Sequence, residues 1–186
     1  MAVVFSDGLD QALVVMIVKN FESRGKGYLG RTAIQKLCYF AQEMGAPISY
    51  SFQIYHYGPY SDQLASAVDF MLAERVISDQ SFDPAKYSSY CLGPNANELL
   101  EKYDSGLRKW NDLIESIVSV LGGLQPDELE LVATLRFVFQ RLRIAEEREP
   151  SKTKVIDEFT SYKGSKFDRK VVDTVYDLMM KVGLLS

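Results

Sequence analysis

Leu9, Leu13, Met16, Ile17 and Phe21 recur at the i, i+4, i+7, i+8 spacing of one helical face, and this rhythm returns along most of the chain. No other feature constrains the fold as strongly. The first helix is predicted over about 9–23. A glycine-rich break from Gly25 to Gly30 separates it from a second helix, about Arg31 to Met44, with Ile34, Leu37, Cys38 and Ala41 inward. Gly45 supplies a left-handed stop and Pro47 prevents resumption.

The period then changes to two. Ile48, Tyr50, Phe52, Ile54 and His56 share one face, while Ser49, Ser51, Gln53, Tyr55 and Tyr57 share the other, as in a half-buried strand. Gly58-Pro59 ends it, and Ser61 is placed to cap a helix carrying Leu64, Val68, Met71 and Leu72 inward. Short strands are expected at 76–78 and 87–92, around a loop with Asp79, Asp83 and Pro84; Gly93-Pro94 starts another helix. Helix, helix, strand, helix, hairpin, helix is the order of a winged-helix-like unit with an extra strand, assigned to residues 1–104.

The remainder, 105–186, reads as an α-helical C-terminal unit. Leu107, Trp110, Ile114, Ile117 and Leu121 form a seam suited to packing on another helix. Gly122-Gly123 stops it, and Pro126 opens a helix to about Ala145. A charged linker over about 146–154 precedes helices at 154–162 and 168–182. The fold class expected is mainly α with a small antiparallel β-sheet.

Few residues here invite chemistry. The 186 residues include one His and two Cys, so a four-ligand Cys/His zinc site cannot be assembled within one chain. His56 falls on the apolar face of its strand, where a core or boundary imidazole with a satisfied hydrogen bond is expected. Cys38 faces inward as a small hydrophobe, and Cys91 lies in a strand that could neighbour His56, without a third group to orient a pair. Gly25, Gly27 and Gly30 match G-x-G-x-x-G, but a helical pattern rather than a strand precedes them, so they read as a turn between helices. Carboxylates at Asp127, Glu128 and Glu130 favour a helix N-terminus, and those at Glu146, Glu147 and Glu149 belong to the linker; both groups are expected to be solvated. No catalytic, metal or cofactor-binding residue is assigned.

The compartment expected is the cytoplasm. Two cysteines make no disulfide framework. The early apolar run, Ala12 to Val18, is far short of the ~20 residues of a membrane span, and Met1 to Asp10 lacks the basic start of a secretory signal.

Nucleic-acid binding needs basic charge where the phosphates lie. The chain has 21 Lys and Arg against 25 Asp and Glu. The helix that a winged-helix protein would insert into DNA offers Asp62, Gln63, Ser66 and Asp69, and the wing offers Asp79 and Asp83 against Lys86. Residues 151–170 differ: Lys152, Lys154, Lys163, Lys166, Arg169 and Lys170 stand against three acids, and the turn Lys163 to Phe167 has helix-turn-helix spacing. Tyrosine is the other peculiarity. Tyr55, Tyr57 and Tyr60 crowd one strand end, and Tyr87 and Tyr90 lie in the wing; interface rims enrich this residue type.

Two stretches resemble a known family. Arg31-Thr32-Ala33-Ile34-Gln35-Lys36-Leu37-Cys38-Tyr39-Phe40-Ala41-Gln42 resembles the "LQKLLYFAQ" helix of the Panacea (SocA-like antitoxin) domain. Ile54-Tyr55-His56-Tyr57-Gly58-Pro59-Tyr60-Ser61 resembles its "Y-G-P" turn, in a form closer still to YwgA-like proteins. The likeness spans about 9–104; the "W-x-x-G-P-V" version common in Panacea domains is replaced by Tyr57-Gly58-Pro59-Tyr60. It implies a non-enzymatic domain that neutralises a partner toxin or serves as an adaptor. The expected function is thus a cytoplasmic protein-interaction module whose partner, a toxin in that reading, meets Tyr55, Tyr57, Gly58, Pro59, Tyr60, Tyr87 and Tyr90. The alternative is a DNA-binding regulator using Lys163, Lys166, Arg169 and Lys170, as a homodimer joined through the 107–121 helix.

Overall fold

The computed structural model describes residues 6–25, 28–83 and 87–185. The protein is mainly α-helical, with two small antiparallel two-stranded sheets among the described residues. The chain gathers into two compact units: the described residues of Met1–Phe52 with Tyr60–Leu124, and those of Gln53–Pro59 with Gln125–Ser186.

The first unit is built on α1 (Leu9–Ser23). Every residue from Ala12 to Val18 is buried, which is what a helix apolar on all sides requires. Against it pack α2 (Arg31–Glu43), the strand β4 (Tyr90–Leu92) and the helices α4 (Ala96–Lys102), α5 (Asp104–Leu107) and α6 (Asn111–Leu121), while α3 (Asp62–Ala73) packs on the strand β3 (Ile77–Asp79). Ser61 caps α3 as the sequence suggests, its hydroxyl accepting from the Leu64 N–H at 3.3 Å. Leu72 is half-buried rather than fully inward. The β3–β4 hairpin pairs Ile77 with Leu92, Ser78 with Cys91 and Asp79 with Tyr90. Gly93 follows because a Cβ there would lie 2.1 Å from the Arg75 carbonyl oxygen. Three helices followed by this hairpin keep the winged-helix-like order.

Two expectations change. The boundary between units falls at Leu124, not at residue 104 or in the 146–154 linker. The cause is α6: Ile114, Ile117, Val118 and Leu121 are buried, and α6 packs on α1 and α2. The seam at 107–121 is therefore used inside the chain and is not free to join two copies. The 48–57 strand also differs. Ile48 and Tyr50 are buried and Ser49 and Ser51 exposed, as alternation demands, but the ladder covers only β1 (Gln53–Tyr55). It pairs with β2 (Gly58–Tyr60) through a tight turn at His56-Tyr57. Gly58 has φ +85°, a left-handed conformation open to glycine at little cost, so Gly-Pro continues a hairpin instead of ending a strand.

The second unit consists of residues 53–59 with α7 (Pro126–Glu146), α8 (Lys152–Lys163) and α9 (Arg169–Lys181). Pro126 occupies the first turn of α7, and Gln125 and Glu128 form a reciprocal capping box, the Glu128 carboxylate accepting from the Gln125 N–H at 2.8 Å. Ser151 and Asp168 cap α8 and α9. Leu131, Leu135, Val138, Phe139, Val155, Phe159, Val172 and Met179 belong to one apolar core. Among the described residues no helix is long and apolar enough to cross a membrane.

Candidate functional site

The β1–β2 hairpin is held within the second unit by charge. The Lys163 ammonium donates to the His56 carbonyl oxygen at 2.7 Å and to Glu130 Oε1 at 2.8 Å. Both side chains are almost wholly enclosed, Lys163 at 3% and Glu130 at 1% exposure. Lys166 donates to Glu130 Oε2 at 2.8 Å and approaches Asp127 Oδ1 at 3.0 Å. Its Nζ stands 5.5 Å from the Tyr57 ring centre and 5.2 Å from that of Phe167. Glu130, accepting from it, holds Lys166 protonated above the usual lysine range. The expectation that Glu130 is solvated is thus overturned: α7 turns it into the core to meet two ammonium groups.

Fixing the His56 carbonyl leaves the side chains of the turn outside. Tyr55, His56 and Tyr57 are exposed, and Gly58 and Pro59 are buried. His56 is therefore not the core or boundary imidazole expected from alternation. The turn reverses the strand one residue before the alternation would have carried His56 inward.

Within the first unit, two glutamines of α2 hold the chain on either side of residues 53–59. Gln42 accepts from the Tyr50 N–H and donates to the Tyr50 carbonyl, both at 3.0 Å. Gln35 does the same for Ser61, both at 2.9 Å. Each amide closes a two-way hydrogen bond with the N–H and C=O of one residue and leaves neither backbone group unpaired. The helix stretch and the Y-G-P stretch, noticed separately in the sequence, therefore meet through Gln35 and Ser61. The signal was a glutamine seven residues before another on one helix face, each ready to mimic a strand partner.

The remaining tyrosines separate by environment. Tyr60 is half-buried and Tyr90 buried, its N–H donating to the Leu29 carbonyl at 2.9 Å. Tyr87 is exposed, as are Tyr28 and Phe82, which the sequence reading passed over. Asp79 orders this wing: its Oδ1 accepts from the N–H groups of Ser81 and Ser89, each at 2.9 Å. Partial burial opposes its charge, but those bonds outweigh it and hold the carboxyl below its ordinary range. Pro84 and Lys86 of the expected wing lie outside the described residues.

The basic segment is largely consumed in ion pairs. Lys152 pairs with Asp173 and Asp177, Lys154 with Glu146, Arg169 with Asp157, and Lys163 and Lys166 as above. Lys170 is exposed. On α3, the exposed positions include Asp62, Gln63, Ser66 and Asp69, the acidic face expected.

Both cysteines are buried thiols. Desolvation pushes Cys38 far above its ordinary range and raises Cys91, whose Sγ donates to the Ser78 carbonyl at 3.6 Å. Cys91 and His56 belong to different units. Gly25 ends α1 with φ +62° and Gly30 caps α2, so those two glycines lie between helices; Gly27 lies outside the described residues. Compared with protein-family models and with curated proteins, the chain matches none.

Proposed function

We propose that this chain is a non-enzymatic cytoplasmic interaction module of the antitoxin or adaptor kind, and that its β1–β2 hairpin carries the contact surface for a protein partner. One observation carries the reading. Tyr55 and Tyr57 are exposed on a turn whose backbone a buried lysine fixes. Two aromatic bodies held outward on a fixed backbone lose little entropy on binding, and tyrosine is enriched among residues that dominate interface energy. The likeness of residues 31–42 and 54–61 to Panacea domains supports the same reading. The regulator alternative is disfavoured, because five of the six basic side chains in 151–170 already face carboxylates.

The test is a pulldown from native lysate beside a gel shift with upstream DNA, each at low and high salt. The partner is expected to remain bound as salt rises, and Tyr55→Ala with Tyr57→Ala to weaken it by about 30-fold, the scale of one interface hot spot. Tyr60 is left in place because it is half-buried. Retention of every protein partner by the double variant, with DNA binding lost steeply with salt and on replacing Lys166, Arg169 and Lys170, establishes the regulator instead.

A further inference from the structure

The first unit holds a cleft of about 370 Å³ that the hairpin surface does not use. Ser6, Gln11 and Tyr50 bound it together with Gln63, Ser66, Ala67 and Phe70 of α3. Of the six buried side-chain atoms with no hydrogen-bond partner among the described residues, three are at this one place: Ser6 Oγ, Gln11 Oε1 and the Tyr50 hydroxyl. Ser6 and Tyr50 are themselves 3% and 7% exposed. A folded chain normally pairs such atoms, because each buried without a partner weakens the fold. Three orphans carried by residues that bound one cleft leave hydrogen-bonding capacity for something that enters it.

The chemistry of the entrant follows from the atoms. Gln11 Oε1 can only accept, and the two hydroxyls can accept as well as donate. The surroundings are acidic. Asp10 Oδ1 and Gln11 Oε1 lie 2.5 and 2.3 Å from the point a Cβ on Gly8 would occupy, so the two oxygens sit side by side. The Glu74 carboxylate receives the Ser6 N–H at 3.0 Å. Burial first, then the negative charge of Asp10, pushes the Tyr50 phenol above its usual range and keeps it a neutral hydroxyl. The seven bounding side chains include no Lys or Arg, and Lys102, which reaches Asp7 beside Ser6, is paired with that carboxylate at 2.6 Å. Ala67 and the partly exposed Phe70 ring add apolar surface. Acceptors near carboxylates, with an aromatic wall, suit a positive donor on an apolar body.

We propose that this cleft binds a small organic cation, whose ammonium or guanidinium group donates to Gln11 Oε1, Ser6 Oγ and the Tyr50 hydroxyl while its apolar body lies against Ala67 and Phe70. The assignment is independent of the hairpin surface.

The experiment titrates the full ¹⁵N-labelled chain with benzylamine, benzyl alcohol and benzoate, one ring carrying positive, neutral and negative heads. Benzylamine is expected to shift the amides of Gln11, Ala67 and Phe70 saturably. The alcohol should bind about tenfold more weakly, and benzoate not at all, the scale of a hydrogen bond gaining charge. Tyr50→Phe keeps the ring and deletes a hydroxyl that has no protein partner. It should leave the melting temperature unchanged or higher while reducing benzylamine affinity about tenfold; Gln11→Leu should do likewise. Equal binding of the three probes overturns the proposal, as does unchanged affinity in both variants. Absence of saturable shifts up to about 20 mM, the weak end for so small a ligand, means a cleft filled by water alone and also overturns it.

Discussion

The two units fix the same stretch of chain by opposite chemistry. Either side of residues 53–59, the first unit uses neutral amides: Gln42 on Tyr50 and Gln35 on Ser61. Within that stretch, the second unit uses buried charge: Lys163 on the His56 carbonyl, with Glu130 beneath it. An amide satisfies both backbone groups of one residue and needs no counter-ion. An ammonium reaches farther on a long stem, but once enclosed it requires its carboxylate, and the carboxylate requires it. The difference teaches where the molecule is brittle: losing an amide orphans both backbone groups of a residue, whereas losing one buried charge leaves another short of a partner.

The sharpest way to break this contrast is Lys163→Met. It takes the enclosed ammonium from Glu130, which keeps only the partly exposed Lys166, and leaves the His56 carbonyl without that donor; the expected loss in the second unit is about 3 kcal/mol in urea unfolding. Adding Glu130→Leu should return part of that loss, because the enclosed carboxylate short of one partner is gone. A single variant that unfolds no more easily than the parent contradicts the picture of an enclosed pair.

Gln35→Leu tests the neutral side. Two buried backbone groups of Ser61 lose their partner, at about 1–3 kcal/mol each less whatever the chain regains by local adjustment. The expected net loss, about 2–3 kcal/mol, should appear in the first unit, with the amide of Ser61 newly open to hydrogen exchange. Ser61→Ala removes only the α3 cap and should cost about 1 kcal/mol by the same unfolding measurement.

The smallest effect distinguishes the two chemistries by pH. Lys166 is held above its unfolded pKa, so its share of stability is complete below about pH 10.4 and disappears as pH rises through its higher folded value. Because the side chain is partly exposed, that share is under about 1 kcal/mol. Unfolding of the parent should therefore weaken slightly more between pH 9.5 and pH 11.5, a window set about the ordinary lysine pKa, than unfolding of Lys166→Met. The amide clamps carry no charge and should contribute nothing to the difference.

Local rhythm made the helices legible. The 3.6-residue period places α1, α2, α7 and α9 within a few residues, because a buried face imposes its spacing on every turn. Alternation likewise told which of Ile48 to Ser51 would be buried. It failed at His56 because a tight turn with Gly58 at positive φ changes direction, which no period of two records. Glu130 was read as solvated and Lys163 as part of a basic turn, because they are 33 residues apart and nothing local pairs them. The boundary at Leu124 was missed for a related reason: the apolar seam of α6 says that it packs, not against what. Of the candidate hairpin, Tyr55 and Tyr57 were visible as a cluster. The lysine that fixes their backbone was assigned instead to a DNA-facing tail.

The bond from Lys163 to His56 spans 107 residues of chain. A ribosome adding about 5–20 residues per second delivers the carbonyl roughly 5–20 s before the ammonium that will hold it. During that interval the nascent first unit can bury α1 and close its glutamine clamps, while the turn at 55–57 has none of its later partners. The second unit is thus completed last, by a piece of chain made early. Pausing translation between residues 125 and 163 would prolong the period in which two tyrosines are displayed on an unanchored loop.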